Sequence, residues 1–272
     1  MALDAELYRR TVYIPLKRKG QVPRRISVID IQPEGASHTL VFLHGYGGDA
    51  LQWIYQLRFL GQRFRVIAPD MRGHGLSEDR PAHDLPYTMA GLVDDLEAVL
   101  AALQVQQPFT LIAHSFGGAI ACEFALRHPE DLNGLVLIGV PSRFLLRPYM
   151  RRLIMYIPDP VFSFTAKKLR IALSAPQYTL KHLLSQVMEA WHGSESMSKL
   201  RVPTLVILGH RDNVFHREYY EDAARVIPNA QHVTISVSAH LVQLERPDAV
   251  NRAIRRFLET TDVLARAGVD GH

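Results

Sequence analysis

Leu111-Ile112-Ala113-His114-Ser115-Phe116-Gly117-Gly118-Ala119 holds the decisive local pattern in this chain. Three apolar or small residues run into a histidine and a serine, and a run of mostly small residues leaves them. This is the pattern of a buried strand that turns sharply into a helix with serine at the corner. A side chain at such a corner is held in a strained backbone conformation, with its hydroxyl aimed above the sheet. The turn brings the residues two before and two after the serine close together, so both must be small. Here they are Ala113 and Gly117. Alanine departs by one methyl group from the usual glycine. A small-x-Ser-x-small match is common by itself, and its value comes from the strand before it and the helix after it.

Outward from this corner, short apolar runs recur at Leu40–Leu43, Val66–Pro69, Thr110–Ala113, Leu135–Val140, Thr204–Leu208 and Val233–Val237. Runs of this length, apolar on both faces, predict buried strands of a parallel sheet. Thr11–Lys17 and Ile26–Gln32 read as two further strands, a half-exposed edge hairpin joined by a turn at Gly20–Pro23. Helical patterns lie between the runs. Met89–Leu103 carries Leu92, Leu96, Val99, Leu100 and Leu103 on one face, with Thr88 placed as its N-cap. Ile120–Arg127 and Ala249–Leu258 repeat the pattern. Strands alternating with helices predict an α/β architecture, a parallel sheet covered on both sides.

One region breaks the rhythm. From Pro141 to about Lys199 no strand is evident, and Pro148, Pro158, Pro160 and Pro176 punctuate short helical pieces. A long excursion from a strand end of such a sheet reads as a lid, because sites lie at the carboxyl ends of the strands. The expected organisation is therefore a core of residues 1–140 and 200–260 and a helical cap of residues 141–199. Residues 261–272 form a disordered tail in this reading.

Three further signals share the strand-then-loop setting of Ser115. His44-Gly45-Tyr46-Gly47-Gly48 follows the first apolar run. Its glycines let the backbone turn an N–H toward a reacting carbonyl oxygen. The backbone N–H groups of Tyr46 and Phe116 are the expected oxyanion donors. A phosphate-binding reading of these glycines lacks both the G-x-G-x-x-G spacing and a P-loop lysine. Leu205-Val206-Ile207-Leu208-Gly209-His210-Arg211-Asp212 ends a strand in an acid, and Ile235-Ser236-Val237-Ser238-Ala239-His240 ends one in a histidine. Ser115, Asp212 and His240 are the expected catalytic residues. In those roles His240 takes the serine proton and returns it to the leaving group, while Asp212 orients and stabilises the imidazole. A lone Asp after a strand is usually a cap, and with thirteen histidines a lone His carries little weight. Order and position carry the assignment. His44 and His114 flank motifs whose backbone does the work and read as structural; His210 sits beside the acid but before the final strand.

The bulk numbers set outer bounds. The 272 residues suit one large α/β domain, 47% hydrophobic and 21% charged. A net charge of +4 does not by itself call for nucleic acid, and no nucleic-acid module is visible. Cys122 is the single cysteine, which excludes an internal disulfide and fits a reducing compartment. The first residues lack a signal-peptide pattern, and no apolar run reaches the roughly 18 residues of a membrane span. The expected setting is soluble and cytoplasmic. No H-E-x-x-H or C-x-x-C motif calls for a metal, and the triad chemistry needs no cofactor.

Taken together these residues resemble the α/β-hydrolase superfamily over roughly residues 10–260. The resemblance extends to Asp70-Met71-Arg72-Gly73-His74-Gly75-Leu76-Ser77, a structural loop near the site in that family. It also includes His240-Leu241-Val242-Gln243-Leu244-Glu245-Arg246-Pro247. The resemblance implies an eight-stranded sheet with one antiparallel strand and a helical cap after the sixth strand. It further implies a Ser-Asp-His hydrolase of the esterase or C–C hydrolase branch. Epoxide hydrolases and haloalkane dehalogenases of the family use an aspartate nucleophile, where this chain has Ser115. Ester cleavage through an acyl-serine is the leading expectation. C–C bond hydrolysis, acyl transfer and a ligand receptor on the same pocket are the alternatives, and fold alone does not separate them.

Within the 141–199 segment, Arg143, Arg147, Arg151, Arg152, Lys167, Lys168, Arg170 and Lys181 outnumber Asp159, Glu189 and Glu195. Aromatic and aliphatic residues are interleaved with them. A basic outer face over an apolar inner face suits a small-molecule ester or acyl substrate with an acidic group, or contact with a membrane surface. A solvated helical face over the cap's own core is the plainer account. No residue is assigned to substrate binding from the sequence.

Overall fold

The computed structural model describes residues 4–15, 23–78, 87–161 and 173–261. Eight strands form one sheet in the order β1-β2-β4-β3-β5-β6-β7-β8. They are β1 (Arg9–Ile14), β2 (Arg24–Ile31), β3 (Thr39–Leu43), β4 (Arg65–Pro69), β5 (Phe109–His114), β6 (Leu132–Ile138), β7 (Thr204–Gly209) and β8 (Gln231–Ile235). Because β2 is antiparallel to both β1 and β4, while every other pairing is parallel, β2 alone runs against the rest. The sheet is thus eight-stranded and mostly parallel, as the resemblance implies.

Central strands are apolar on both faces because both faces are covered. Along β5, Leu111 and Ala113 join one buried cluster and Ile112 joins the other. All three are fully buried, which is worth about 1.5–3 kcal/mol for each large side chain. The first cluster includes residues of helices α2 (Met89–Ala102) and α3 (Phe116–Arg127). The second gathers α1 (Ile54–Leu60) and the C-terminal helix Pro247–Thr260. Helix α2 starts as its sequence predicts, with the Thr88 side chain accepting from Gly91 N–H at 3.0 Å.

Two expectations need correction. The strand at 26–32 does not sit at an edge: β2 lies between β1 and β4 and is largely buried, and the alternating, half-exposed strand is β1. The final strand is not the doubly buried Val233–Val237. It is Gln231–Ile235, paired among the described residues only with β7, with Gln231, His232 and Thr234 exposed. Val237 falls beyond it in the left-handed region, at φ 54°, where a strand cannot continue. Most of the expected turn at 20–23 and of the tail at 261–272 lies outside the described residues.

Between β6 and β7 the described residues form helices and no strand. They are α4 (Pro148–Tyr156), α5 (Gln177–Leu183), a π turn at Leu184–Met188 and α6 (Gly193–Ser198). Beyond β7 come α7 (Arg217–Val226), α8 (Val242–Glu245) and α9 (Pro247–Thr260). Among the described residues no helix is long and apolar enough to cross a membrane.

Candidate active site

The carboxyl ends of β3, β5, β7 and β8 converge, and each delivers one of the segments singled out from the sequence. Ser115 follows β5 directly, at φ 48° and ψ −120°, a conformation an L-residue occupies only when its surroundings impose it. Ser115 N–H donates to Ile138 O at 2.9 Å, and α3 begins at the next residue. Gly117 lets the corner form. A Cβ there would lie 2.5 Å from His44 O and 2.8 Å from Leu43 O, inside the backbone of β3 and its loop. Only glycine permits so close an approach.

His240 stands between the serine and the acid. Its Nε2 is 3.0 Å from Ser115 Oγ and its Nδ1 is 2.7 Å from Asp212 Oδ2. The other carboxylate oxygen, Asp212 Oδ1, accepts from Tyr220 O–H at 2.8 Å and from Val214 N–H at 3.2 Å. Burial pushes the Asp212 carboxyl up. The His240 hydrogen bond and charge, with the Tyr220 and Val214 donors, outweigh it and hold the group below its ordinary value. Tyr220, on α7, was not foreseen. It is one tyrosine among ten, and nothing in the spacing marks it. The two segments that carry the acid and base touch through Gly209, whose absent Cβ would collide with Ala239 O.

Phe116 directly follows the serine, and Tyr46 follows Gly45, where an added Cβ would lie 3.3 Å from Ser115 Cβ. Phe116 is the first residue of α3, so its N–H has no partner within the helix. Among the described residues nothing accepts from it or from Tyr46 N–H. The loop that carries Tyr46 is fixed from beneath by two buried, neutral histidines and a buried acid. His44 Nε2 accepts from Met71 N–H at 2.9 Å, and its Nδ1–H donates to Gly45 O at 2.8 Å. His74 Nε2 accepts from Gly47 N–H at 3.2 Å, and Asp70 Oδ1 accepts from Ala50 N–H at 2.8 Å. Burial pushes the His44 imidazolium down to about 4 and that of His74 to about 3. The Asp70–Ser77 segment is therefore the support of the loop, consistent with the structural part expected of it.

His114 has a similar part on the base side. Its Nε2–H donates to His240 O at 2.9 Å, and the two rings lie 4.7 Å apart. Burial pushes it down to about 3, so it holds the backbone of the base while staying uncharged. His210 is exposed, and its backbone N–H bonds Ile235 O. Among the described residues no group of three or more His, Cys, Asp or Glu side chains is arranged to hold a metal ion.

This sheet, with its serine corner, matches the family model of the alpha/beta hydrolase fold over residues 38–181, more than half of the chain. The chain belongs to the α/β-hydrolase fold family. Its relatives within α/β hydrolases are chemically diverse. Epoxide hydrolase 1 of Caenorhabditis elegans is 26% identical over 264 residues, covering 80% of this chain and 64% of that protein. The chain thus spans less than two thirds of that relative's length. 2-Hydroxymuconate semialdehyde hydrolase of Pseudomonas sp. (strain CF600) is 42% identical over 113 residues, 40% of this chain and 39% of that protein. A thermophilic esterase from Thermogutta terrifontis matches as a structure, with a TM-score of 0.76 at 26% identity. That match covers 93% of this α/β hydrolase and 99% of the esterase.

Proposed function

We propose that this protein is a serine hydrolase that cleaves a carboxylic ester of a small or medium acyl group through an acyl-Ser115 intermediate. The observation that carries this reading is the continuous relay from Ser115 Oγ through His240 to Asp212. His240 Nε2 takes the Ser115 proton as Oγ attacks the ester carbonyl carbon. The developing oxyanion is received by the Tyr46 and Phe116 N–H groups, and His240 then protonates the departing alkoxide as the C–O bond breaks. Water, deprotonated by the same imidazole, hydrolyses the acyl-serine. Asp212 steadies the imidazolium in both halves of the cycle. The Tyr220 and Val214 donors keep its carboxylate ionised.

An epoxide hydrolase reading is not supported, because the position of that branch's aspartate nucleophile holds Ser115. The 113-residue match to a semialdehyde hydrolase supports C–C bond hydrolysis by the same residues as the second reading. In both readings residues 141–199 are the cap over a core of residues 1–140 and 200–260. The test is steady-state hydrolysis of p-nitrophenyl esters from acetate to palmitate, with Ser115→Ala as control. Serine-dependent turnover with a chain-length optimum supports the esterase. Covalent labelling of Ser115 by a fluorophosphonate without ester turnover favours a C–C substrate. Undiminished turnover in Ser115→Ala overturns both.

A further inference from the structure

The loop that carries Tyr46 is held from two sides. Beneath it are His44, His74 and Asp70, all of the core. Above it lies the β6–β7 insertion, which grips it chiefly through Ser174. Ser174 N–H donates to Gly47 O at 2.8 Å, and its hydroxyl donates to Asp49 Oδ2 at 2.6 Å. Its carbonyl accepts from Gly75 N–H at 2.6 Å, so it also grips the supporting segment. Six residues further on, Leu180 O accepts from the Tyr46 phenol at 2.7 Å. Packing follows the same line: a Cβ on Gly47 would lie 2.9 Å from Leu173 Cδ2. Tyr46, one of the two proposed oxyanion donors, is thus bound to the insertion by its own side chain and by its neighbour's carbonyl. The Ser174–Asp49 bond is the strongest kind in the set, a short hydroxyl-to-carboxylate contact. Asp49 in turn fixes the end of the loop, since its Oδ1 accepts from Leu51 N–H at 2.8 Å.

We propose that Ser174 is a positioning residue through which the seated insertion sets the oxyanion loop. This rests on the acyl-serine reading. Ser174 touches no reacting atom. It acts through Gly47 and Asp49 on the direction of the Tyr46 N–H, so seating the insertion and completing the oxyanion site become one event. An amide turned away from the oxyanion loses transition-state stabilisation while leaving ground-state binding almost untouched.

The test uses the full chain with p-nitrophenyl acetate and phenylboronic acid, whose tetrahedral serine adduct places an oxygen where the oxyanion forms. Ser174→Ala should lower kcat about tenfold, the worth of one hydrogen bond to a charged group, with KM changed less than about twofold. Phenylboronate inhibition should weaken by the same factor. Ser174→Thr, which keeps the hydroxyl, should stay near wild type. Tyr46→Phe, which removes the tether to Leu180, should move kcat and boronate affinity together in the direction of Ser174→Ala. If these variants shift KM or melting temperature alone, with kcat and boronate affinity unmoved, Ser174 merely staples the insertion and the proposal fails. Ser115→Ala is run alongside. Wild-type activity in that variant means that the acyl-serine reading itself has failed and takes the latch with it.

Discussion

Helices α3 and α4 are of similar length and treat the sheet in opposite ways. Helix α3 buries nine of its twelve residues against the strands, whereas α4, in the insertion, has no buried residue among its nine. Tyr149 and Tyr156 on α4 are 68% and 73% exposed. The difference separates two tasks. Ser115, His240 and Asp212 sit on segments pinned by close packing, where a displaced atom is costly. Helix α4 buries nothing and can be altered without disturbing the sheet, so its exposed face is where selectivity between substrates can reside.

The contrast is tested first at its rigid end. Ser115→Ala should lower ester turnover by at least about 10⁴-fold while leaving the melting temperature within a few degrees, since the change is small and local. Steady-state rates and a thermal melt check both halves. Asp212→Asn should cost about 10⁴-fold in kcat, because the amide cannot hold the imidazole in its working tautomer; intact circular dichroism should accompany that loss.

Acid should attack the same half of the molecule. His44, His74 and His114 are held at about 4, 3 and 3 in the fold, against about 6.5 in an unfolded chain. Below pH 6.5 the unfolded chain therefore takes up protons that the folded one refuses. Their contribution is complete above that pH and falls away as pH drops toward the folded values, by about 1.4 kcal/mol per histidine per pH unit. Urea unfolding at pH 7.5 and pH 5.5 measures it, and equal stabilities would show that these rings are not neutral supports.

The smallest effects sharpen the comparison from the other end. Ile207→Ala, at a fully buried position of β7, should cost about 2–5 kcal/mol of stability. Tyr149→Ser on α4 should cost less than about 0.5 kcal/mol and leave p-nitrophenyl acetate hydrolysis unchanged. Denaturant midpoints for the pair decide whether α4 is as loosely committed as its exposure indicates.

Much of this was legible in the letters because the parts are local. The apolar run 110–113, the small residues around Ser115 and the Thr88 cap each report on their own few neighbours. That Asp212 and His240 meet was legible from their positions after Gly209 and Ile235. What escaped depends on distant neighbours. Ile26–Gln32 and Val233–Val237 are apolar enough for their expected strands, but which strand lies at an edge is decided by pairing, and pairing leaves no mark in a run of Val and Ile. Ser174 bonds a carboxylate 125 residues away, and Tyr220 bonds one across a loop. A lone serine or tyrosine carries no pattern that names such a partner.

The corner at Ser115 also sets stability against activity. Holding a side chain at φ 48° costs on the order of 1–3 kcal/mol, a sizeable share of the 5–15 kcal/mol by which a domain exceeds its unfolded chain. Glycine would occupy the same angles with little strain. Selection for thermal robustness alone would therefore tend to erase the hydroxyl, and the serine stays at this corner only while turnover is selected with it.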